Sequence, residues 1–267
     1  MSTRPTASDV TQNPAGCSLP ALPCFTSSCG RVTLHHGDSR DILPRLDVIE
    51  AIITDPPYGI GYQHSATGKM AHLTNTSKIM HDDEPFDPSY LMDLPQIKNK
   101  SGGMGAMKPV VIWGANNFAH MMPPAPSWLV WDKACGMGPH STFVDSELAW
   151  CSRRTPRTVY HYLWLGILRH GRERAKRLHP SQKPVELMMW CMETARVGIG
   201  KTVVDPYMGS GTTGIAAIRT GRRFLGIEKC PDHFSRACKR IEAELAKGDL
   251  SRLDCESERR NCGLAGL

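Results

Sequence analysis

Gly209-Ser210-Gly211-Thr212-Thr213-Gly214 completes a G-x-G-x-x-G pattern, and its surroundings restrict the fold more than any other stretch of the chain. Thr202 to Val204 before it reads as a short apolar strand. Thr212 to Thr220 reads as a helix closed by Gly221, and Arg223 to Ile227 as the next strand, which ends at Glu228. Strand, glycine loop, helix, strand and acid in this order describe a nucleoside-binding α/β unit. The glycines let backbone approach a ligand, and a carboxylate downstream can accept ribose hydroxyls. A glycine turn that serves only helix packing is the plain alternative, and the strand context disfavours it.

The loop also discriminates among ligands. A phosphate-binding P-loop needs Gly-Lys-Ser/Thr, whereas Gly211 is followed by Thr212 and Thr213. A dinucleotide would bring its pyrophosphate close to Asp205, and two negative charges at short range repel. A ligand with a cationic amino-acid portion suits that carboxylate better, which points to S-adenosylmethionine.

Upstream, structure is expected to begin with a strand at Arg31 to His35 and a Gly37-Asp38 turn, after a disordered or loosely attached tail over residues 1–30. The apolar run Val48 to Thr54 reads as a buried strand stopped by Pro56 and Pro57, which cannot join a ladder. Residues 59 to 108 read as a long loop region with room for one helix. Val110 to Trp113, Trp128 to Trp131 and Glu147 to Cys151 are further strand candidates. Val185, Met188, Met189, Met192 and Ala195 share one face of a helix expected over Pro184 to Val197, and Phe234, Ala237, Cys238, Ile241 and Leu245 do so over Asp232 to Ala246. Alternating strands and helices predict a mostly parallel sheet covered on both faces.

Asp55-Pro56-Pro57-Tyr58 therefore ends a parallel strand, at the sheet edge where open α/β folds bind ligands. A turn that merely stops a strand is one reading. The residue types also suit an exocyclic amine, a poor nucleophile because its lone pair is delocalised into the base. Asp55 and the Pro56 carbonyl can accept its two N–H groups and draw it toward a more nucleophilic, tetrahedral form. Tyr58 can stack on a base that has left the duplex.

Together, Asp55-Pro56-Pro57-Tyr58, His179-Pro180-Ser181-Gln182-Lys183-Pro184 and Asp205-Pro206-Tyr207-Met208-Gly209-Ser210-Gly211-Thr212-Thr213 resemble the signatures of the amino-methylating DNA methyltransferases. The order, catalytic turn first and cofactor loop last, is similar to the circularly permuted β class. Tyr207 stands where that family more often has Phe. The resemblance implies a Rossmann-like S-adenosylmethionine-dependent fold that transfers methyl to adenine N6 or cytosine N4. Asp at the head of the turn favours adenine. By the same resemblance Asp55, Pro56, Pro57 and Tyr58 are catalytic. Asp38 faces the cofactor adenine and Glu228 its ribose. Asp205, Tyr207, Gly209, Ser210, Gly211 and Thr212 surround its methionine portion, and His179 and Lys183 close the site. It divides the chain into a catalytic half over 31–151, a basic target-recognition segment over 152–178, a cofactor half over 179–247 and a tail over 248–267. Its partners are double-stranded DNA, with room for a homodimer and a paired restriction endonuclease.

Charge supports a nucleic-acid partner. Net charge is +6, and between Ser152 and Leu178 eight basic residues meet one acid, Glu173. The bases include Arg153, Arg154, Arg157, Arg169, Arg172 and Arg174, interleaved with Tyr160, Tyr162 and Trp164. A solvated charge run is the plain reading; between two halves of a nucleotide-modifying domain it reads as a DNA contact surface. The ten cysteines form no CxxC pair and no zinc spacing, so free thiols and no metal are expected. Pro23-Cys24 lies in the tail, away from any activating environment. Without a signal-peptide core or a membrane-length apolar run, a cytoplasmic location is expected. An RNA methyltransferase, a nicotinamide oxidoreductase and a non-catalytic DNA-binding protein stand as rivals.

Overall fold

The computed structural model describes residues 24–59, 86–98, 107–136, 145–165, 168–169 and 182–262, with side chains of the last helix described to residue 247. Five parallel strands form the centre of a nine-stranded sheet: β2 (Val32–His36), β3 (Ala51–Thr54), β4 (Val110–Trp113), β10 (Thr202–Asp205) and β11 (Arg223–Glu228), in spatial order β2-β11-β10-β3-β4. Ala-Ile-Ile-Thr in β3 and Val-Val-Ile-Trp in β4 are buried throughout, as strands covered on both faces require. The register places Val203 between Phe224 and Ala51, and Ile52 beside Val110.

Side chains of successive residues alternate between two cores. On one face Val32, Ala51, Ile53, Val111 and Val203 pack with α3 (Val185–Thr194), α4 (Thr212–Arg219) and α5 (Pro231–Cys262), through Met188, Ile215, Ala237 and Ile241. On the other, Ile52, Ile112, Val204 and Ile227 meet α1 (Ser39–Ile42), α2 (Ser89–Met92) and the 3-10 segment Ala115–Met121, through Ile42, Leu91 and Phe118. The expected two-face covering is present.

Several boundaries differ from expectation. A strand β1 (Cys24–Thr26) pairs antiparallel with β2, inside the stretch read as a tail. Strand β3 begins at Ala51 because Val48 lies in an exposed turn. The final helix continues to Cys262, through much of the expected 248–267 tail. Beyond β4 the sheet is mixed. β6 (Ser146–Cys151) runs antiparallel to both β4 and β5 (Ser127–Asp132), and β7 (Val159–His161) joins β5 in parallel. Trp150 of β6 pairs with Ile112 on one side and Trp128 on the other, and its Nε1–H donates to the Pro123 carbonyl at 3.0 Å.

The described part of the 152–178 stretch is built into the fold. Its first part joins the sheet through β7, followed by β8 (Trp164–Leu165) and β9 (Leu168–Arg169), which form a two-stranded ribbon. Tyr162 and Trp164 are buried in the α3-side core, and Tyr160 stacks on Tyr162 and Trp190. These rings are spent on packing. The seven described cysteines are free thiols, and no metal-binding cluster occurs among the described residues. No described helix is long and apolar enough to cross a membrane.

Candidate active site

Because β2, β3, β10 and β11 are parallel, their carboxyl ends face one edge. Chain geometry thus brings together Asp38, the Asp55–Tyr58 turn, the glycine loop and Glu228. Gly211, at φ +81°, caps α4 in the left-handed region, which an L side chain enters only at a cost. A Cβ on Gly214 would stand 2.7 Å from the Phe224 ring and 2.8 Å from Ile241, so this glycine lets α4 settle onto β11 and α5. Arg240 of α5 reaches back to the loop, donating to the Ser210 carbonyl at 2.7 Å and to its hydroxyl at 2.8 Å.

Asp205 does not face outward. It is 2% exposed, and its carboxylate accepts Thr54 Oγ1–H at 2.7 Å, Thr213 Oγ1–H at 2.6 Å and the Tyr207 N–H at 3.1 Å. Asp205, expected from the sequence to favour a cationic ligand, clamps the end of β3 to the glycine loop and α4. Burial pushes its pKa up to about 6. Glu228 accepts the N–H groups of Gly209 and Cys230 at 3.0 and 2.7 Å, and burial raises it to about 7. Asp38 caps α1 through the Arg40 N–H at 3.0 Å and pairs with Lys229 at 3.0 Å; against the push of partial burial these partners hold its pKa low. The hydroxyl of Tyr207 accepts from Tyr90 at 2.6 Å, and Tyr90 in turn lies 3.2 Å from Ser39 Oγ. That gives the tyrosine at this position a partner that Phe would lack.

The Asp55–Tyr58 turn is wired to Lys183. Its ammonium donates to Asp55 Oδ2 at 2.7 Å and to the Tyr58 hydroxyl at 3.0 Å, and Tyr58 donates to Asp55 Oδ1 at 2.6 Å. Lys183 also lies 2.9 Å from Glu147 Oε2, off the direction of a hydrogen bond. Lys133 donates to Glu147 Oε1 at 3.0 Å. Lys183, read from sequence as closing the cofactor site, bonds to the Asp55–Tyr58 turn. Each Asp55 oxygen keeps one lone pair for a further donor. Burial lifts the Asp55 pKa above the usual carboxylate range, with Lys183 opposing it.

Residues 131–239 match the sequence model of the DNA methylases N6_N4_Mtase. The matched stretch is less than half of the chain. Type II methyltransferase M2.DpnII of Streptococcus pneumoniae is 42% identical over 82 residues, 31% of this chain and 30% of that protein. The chain thus spans less than a third of that relative in the match. Type II methyltransferase M.ScaI of Streptomyces caespitosus is 21% identical across 80% of this chain and 82% of its own length. The crystal structure of the M1.HpyAVI–SAM complex has a TM-score of 0.49 at 22% identity, covering 79% of this chain and 98% of that one.

The arginines expected to meet DNA divide. Cys151 pairs with Val111 and Ser127, and the Ser152 N–H donates to the Val110 carbonyl, so β6 ends at the amino edge of the parallel strands. Arg153, Arg154 and Arg157 follow there, on the opposite side of the sheet from Asp55, because β6 runs against its neighbours. Arg154 lines a shallow hollow with Thr155, Pro156 and Arg196. Arg172, Arg174 and His179 lie outside the described residues, and Arg169 is described only as backbone of β9. The residues flanking this interval return to the catalytic edge: the Trp164 N–H donates to the Lys133 carbonyl, and Lys183 reaches Asp55.

Sequence reasoning missed Thr54, Lys133, Glu147, Thr213, Arg240 and Gly114. Thr54 and Thr213 adjoin the motifs and were within reach, since a buried carboxylate needs nearby donors. Lys133 and Glu147 carry no motif; only the β5–β6 pairing brings them to the same edge.

Proposed function

We propose that the chain is an S-adenosylmethionine-dependent DNA methyltransferase that acts on the exocyclic amine of a flipped base, adenine N6 in preference to cytosine N4. One observation carries the reading. The Asp55–Tyr58 turn and the glycine loop leave the adjacent strands β3 and β10 at the same edge, bridged by the Thr54–Asp205 hydrogen bond.

The residues present fit the cofactor. Glu228 ends β11 and Asp38 stands just past the end of its neighbour β2, with oxygens for nucleoside hydroxyl and amine groups. Gly209 and Gly211 keep the loop free of side chains. When bound, S-adenosylmethionine supplies an electrophilic methyl on sulfonium. Asp55 accepts one amine N–H on its free lone pair, and the Pro56 carbonyl accepts the second. Tyr58, its hydroxyl held by Asp55 and Lys183, offers its ring to the extruded base. Catalysis is then positioning and electrostatics, without a covalent enzyme intermediate. Asp rather than Ser in the turn supports adenine. In this reading the motif order is that of the permuted β class, and the enzyme works in the cytoplasm on double-stranded DNA. A second copy of the chain and a cognate endonuclease are further partners consistent with it; neither enters the catalytic argument.

The test is incubation with methyl-labelled cofactor and mixed-sequence duplex DNA, with a parallel RNA arm, followed by mass spectrometry of the nucleosides. N6-methyladenine is the expected product. N4-methylcytosine would correct the base, and label confined to RNA or absent from both arms would overturn the reading.

Cofactor binding should also depend on pH. Glu228, raised from its ordinary 4.5 to about 7, holds a proton more readily in the folded protein than in the unfolded chain. Its contribution to stability is therefore fully present below about 4.5 and lost as pH climbs through 7. Ribose hydroxyls donate to the ionised form, so affinity should rise severalfold between pH 6 and 8, with proton release near pH 7. Calorimetry in two buffers of different ionisation enthalpy measures both. Affinity flat across that range would remove Glu228 from the ribose.

A further inference from the structure

The chain Lys133–Glu147–Lys183–Asp55–Tyr58 contains more charge than holding a base requires. Lys183 has a 6% exposed side chain and touches two carboxylates, Asp55 at 2.7 Å and Glu147 at 2.9 Å. Glu147 in turn lies between two ammonium groups, Lys183 and Lys133, the latter at 3.0 Å. Burial alone would raise Glu147, yet Lys183 and Lys133 hold its pKa at about 2, so it stays ionised. Two cations and two anions balance in the resting cluster.

That balance changes during the proposed reaction. The amine nitrogen bonds to the methyl carbon as the carbon–sulfur bond breaks, its electron pair leaving with sulfur as a neutral thioether. The nitrogen is left with one proton too many. As that N–H bond breaks, its electrons return to nitrogen and the proton moves to Asp55, the nearest carboxylate in this reading. Asp55 becomes neutral, and Lys183 loses its closer counter-charge while remaining buried. A buried ammonium without a carboxylate is strongly disfavoured.

We propose that Glu147, braced by Lys133, is a positioning residue that keeps Lys183 charged and seated while Asp55 takes up the proton released by the methylated amine. This rests on the methyltransferase reading. Glu147 touches neither base nor cofactor; it acts through Lys183 and through its field at Asp55. Among the described residues, the charged and titratable groups facing Asp55 are Lys183, Tyr58 and Glu147, with Asp205 farther off.

Two substitutions should move the pH profile in opposite directions. Removing the Glu147 charge eases ionisation of Asp55. Glu147→Gln should therefore shift the acid limb of kcat down by about one pH unit and lower its plateau about tenfold. Removing Lys133 leaves the Glu147 charge uncompensated, so Lys133→Gln should shift the limb upward. Cofactor affinity by calorimetry should stay within about twofold in both, because neither side chain faces the glycine loop. The same opposite shifts should appear in the Asp55 titration of the unliganded protein, followed by carboxyl carbon NMR. Shifts of the same sign, or none in variants that fold, would overturn the proposal. If Glu147→Gln fails to fold, an unmoved Asp55 titration in Lys133→Gln alone does so. Inactivity of the wild-type protein on DNA and RNA would count against the functional reading, while the NMR titration still tests the charge coupling.

Discussion

Asp55→Ala should lower the single-turnover rate of methyl transfer by about a thousandfold or more while leaving S-adenosylmethionine affinity within a few-fold. The asymmetry follows from the wiring. Asp55 supplies the acceptor that draws the amine lone pair out of conjugation, and no other described carboxylate lies within a hydrogen bond of Tyr58. The cofactor loop is held separately, by Asp205 through Thr54 and Thr213 and by Arg240. Loss of Asp55 does not strand Lys183, which keeps Glu147 at 2.9 Å, so the fold should survive. Rapid-quench methylation and calorimetry on the same preparation measure the two effects. A variant that still methylates at a wild-type rate would end the assignment of Asp55.

Gly114→Ala should also slow the reaction, from a position that carries no functional group. Gly114 has φ +69°, and a Cβ there would overlap the Tyr58 ring. The backbone conformation alone costs an L residue about 1–2 kcal/mol. The clash adds a choice: either the strand end moves, or Tyr58 leaves Asp55 and Lys183. The second is the softer response, because the ring turns about side-chain torsions while β4 is paired on both sides. A rate loss of about a hundredfold is expected, and little further loss when Tyr58→Ala is combined with it, since the two changes disrupt one contact. Fully additive losses would show that Gly114 acts elsewhere.

Much of this site was readable because its motifs report local necessity. The glycine loop between β10 and α4 requires small residues where helix meets strand, and Pro56 and Pro57 mark where β3 stops. Helices α3 and α4 follow from the apolar spacing that their burial demands. What stayed hidden depends on chain direction. Nothing in Ser-Glu-Leu-Ala-Trp-Cys states that β6 runs antiparallel between β4 and β5, yet that reversal brings Glu147 to the reactive edge and sends Arg153, Arg154 and Arg157 to the other. Composition misled for a related reason. Tyr160, Tyr162 and Trp164 look like base-stacking rings beside arginines, but the pairing of β7 with β5 turns them toward Trp190 and the core. Asp205 was legible as a carboxylate at a strand end, but not its partners Thr54 and Thr213, because those are set by which hydroxyls the fold brings near it.

The placing of Trp150 has a mechanical consequence for the chemistry. Its backbone is paired to both neighbouring strands, while its indole, packed in the core on one face of the sheet, is tethered to Pro123. The residue thus acts as a dowel: it fixes how far β6 can slide against either strand. Glu147 sits three residues along the same strand, roughly 10 Å away, so its reach to Lys183 inherits the tolerance of that dowel. The accuracy of a charge at the reactive rim is thereby set by a tryptophan that never meets solvent, base or cofactor.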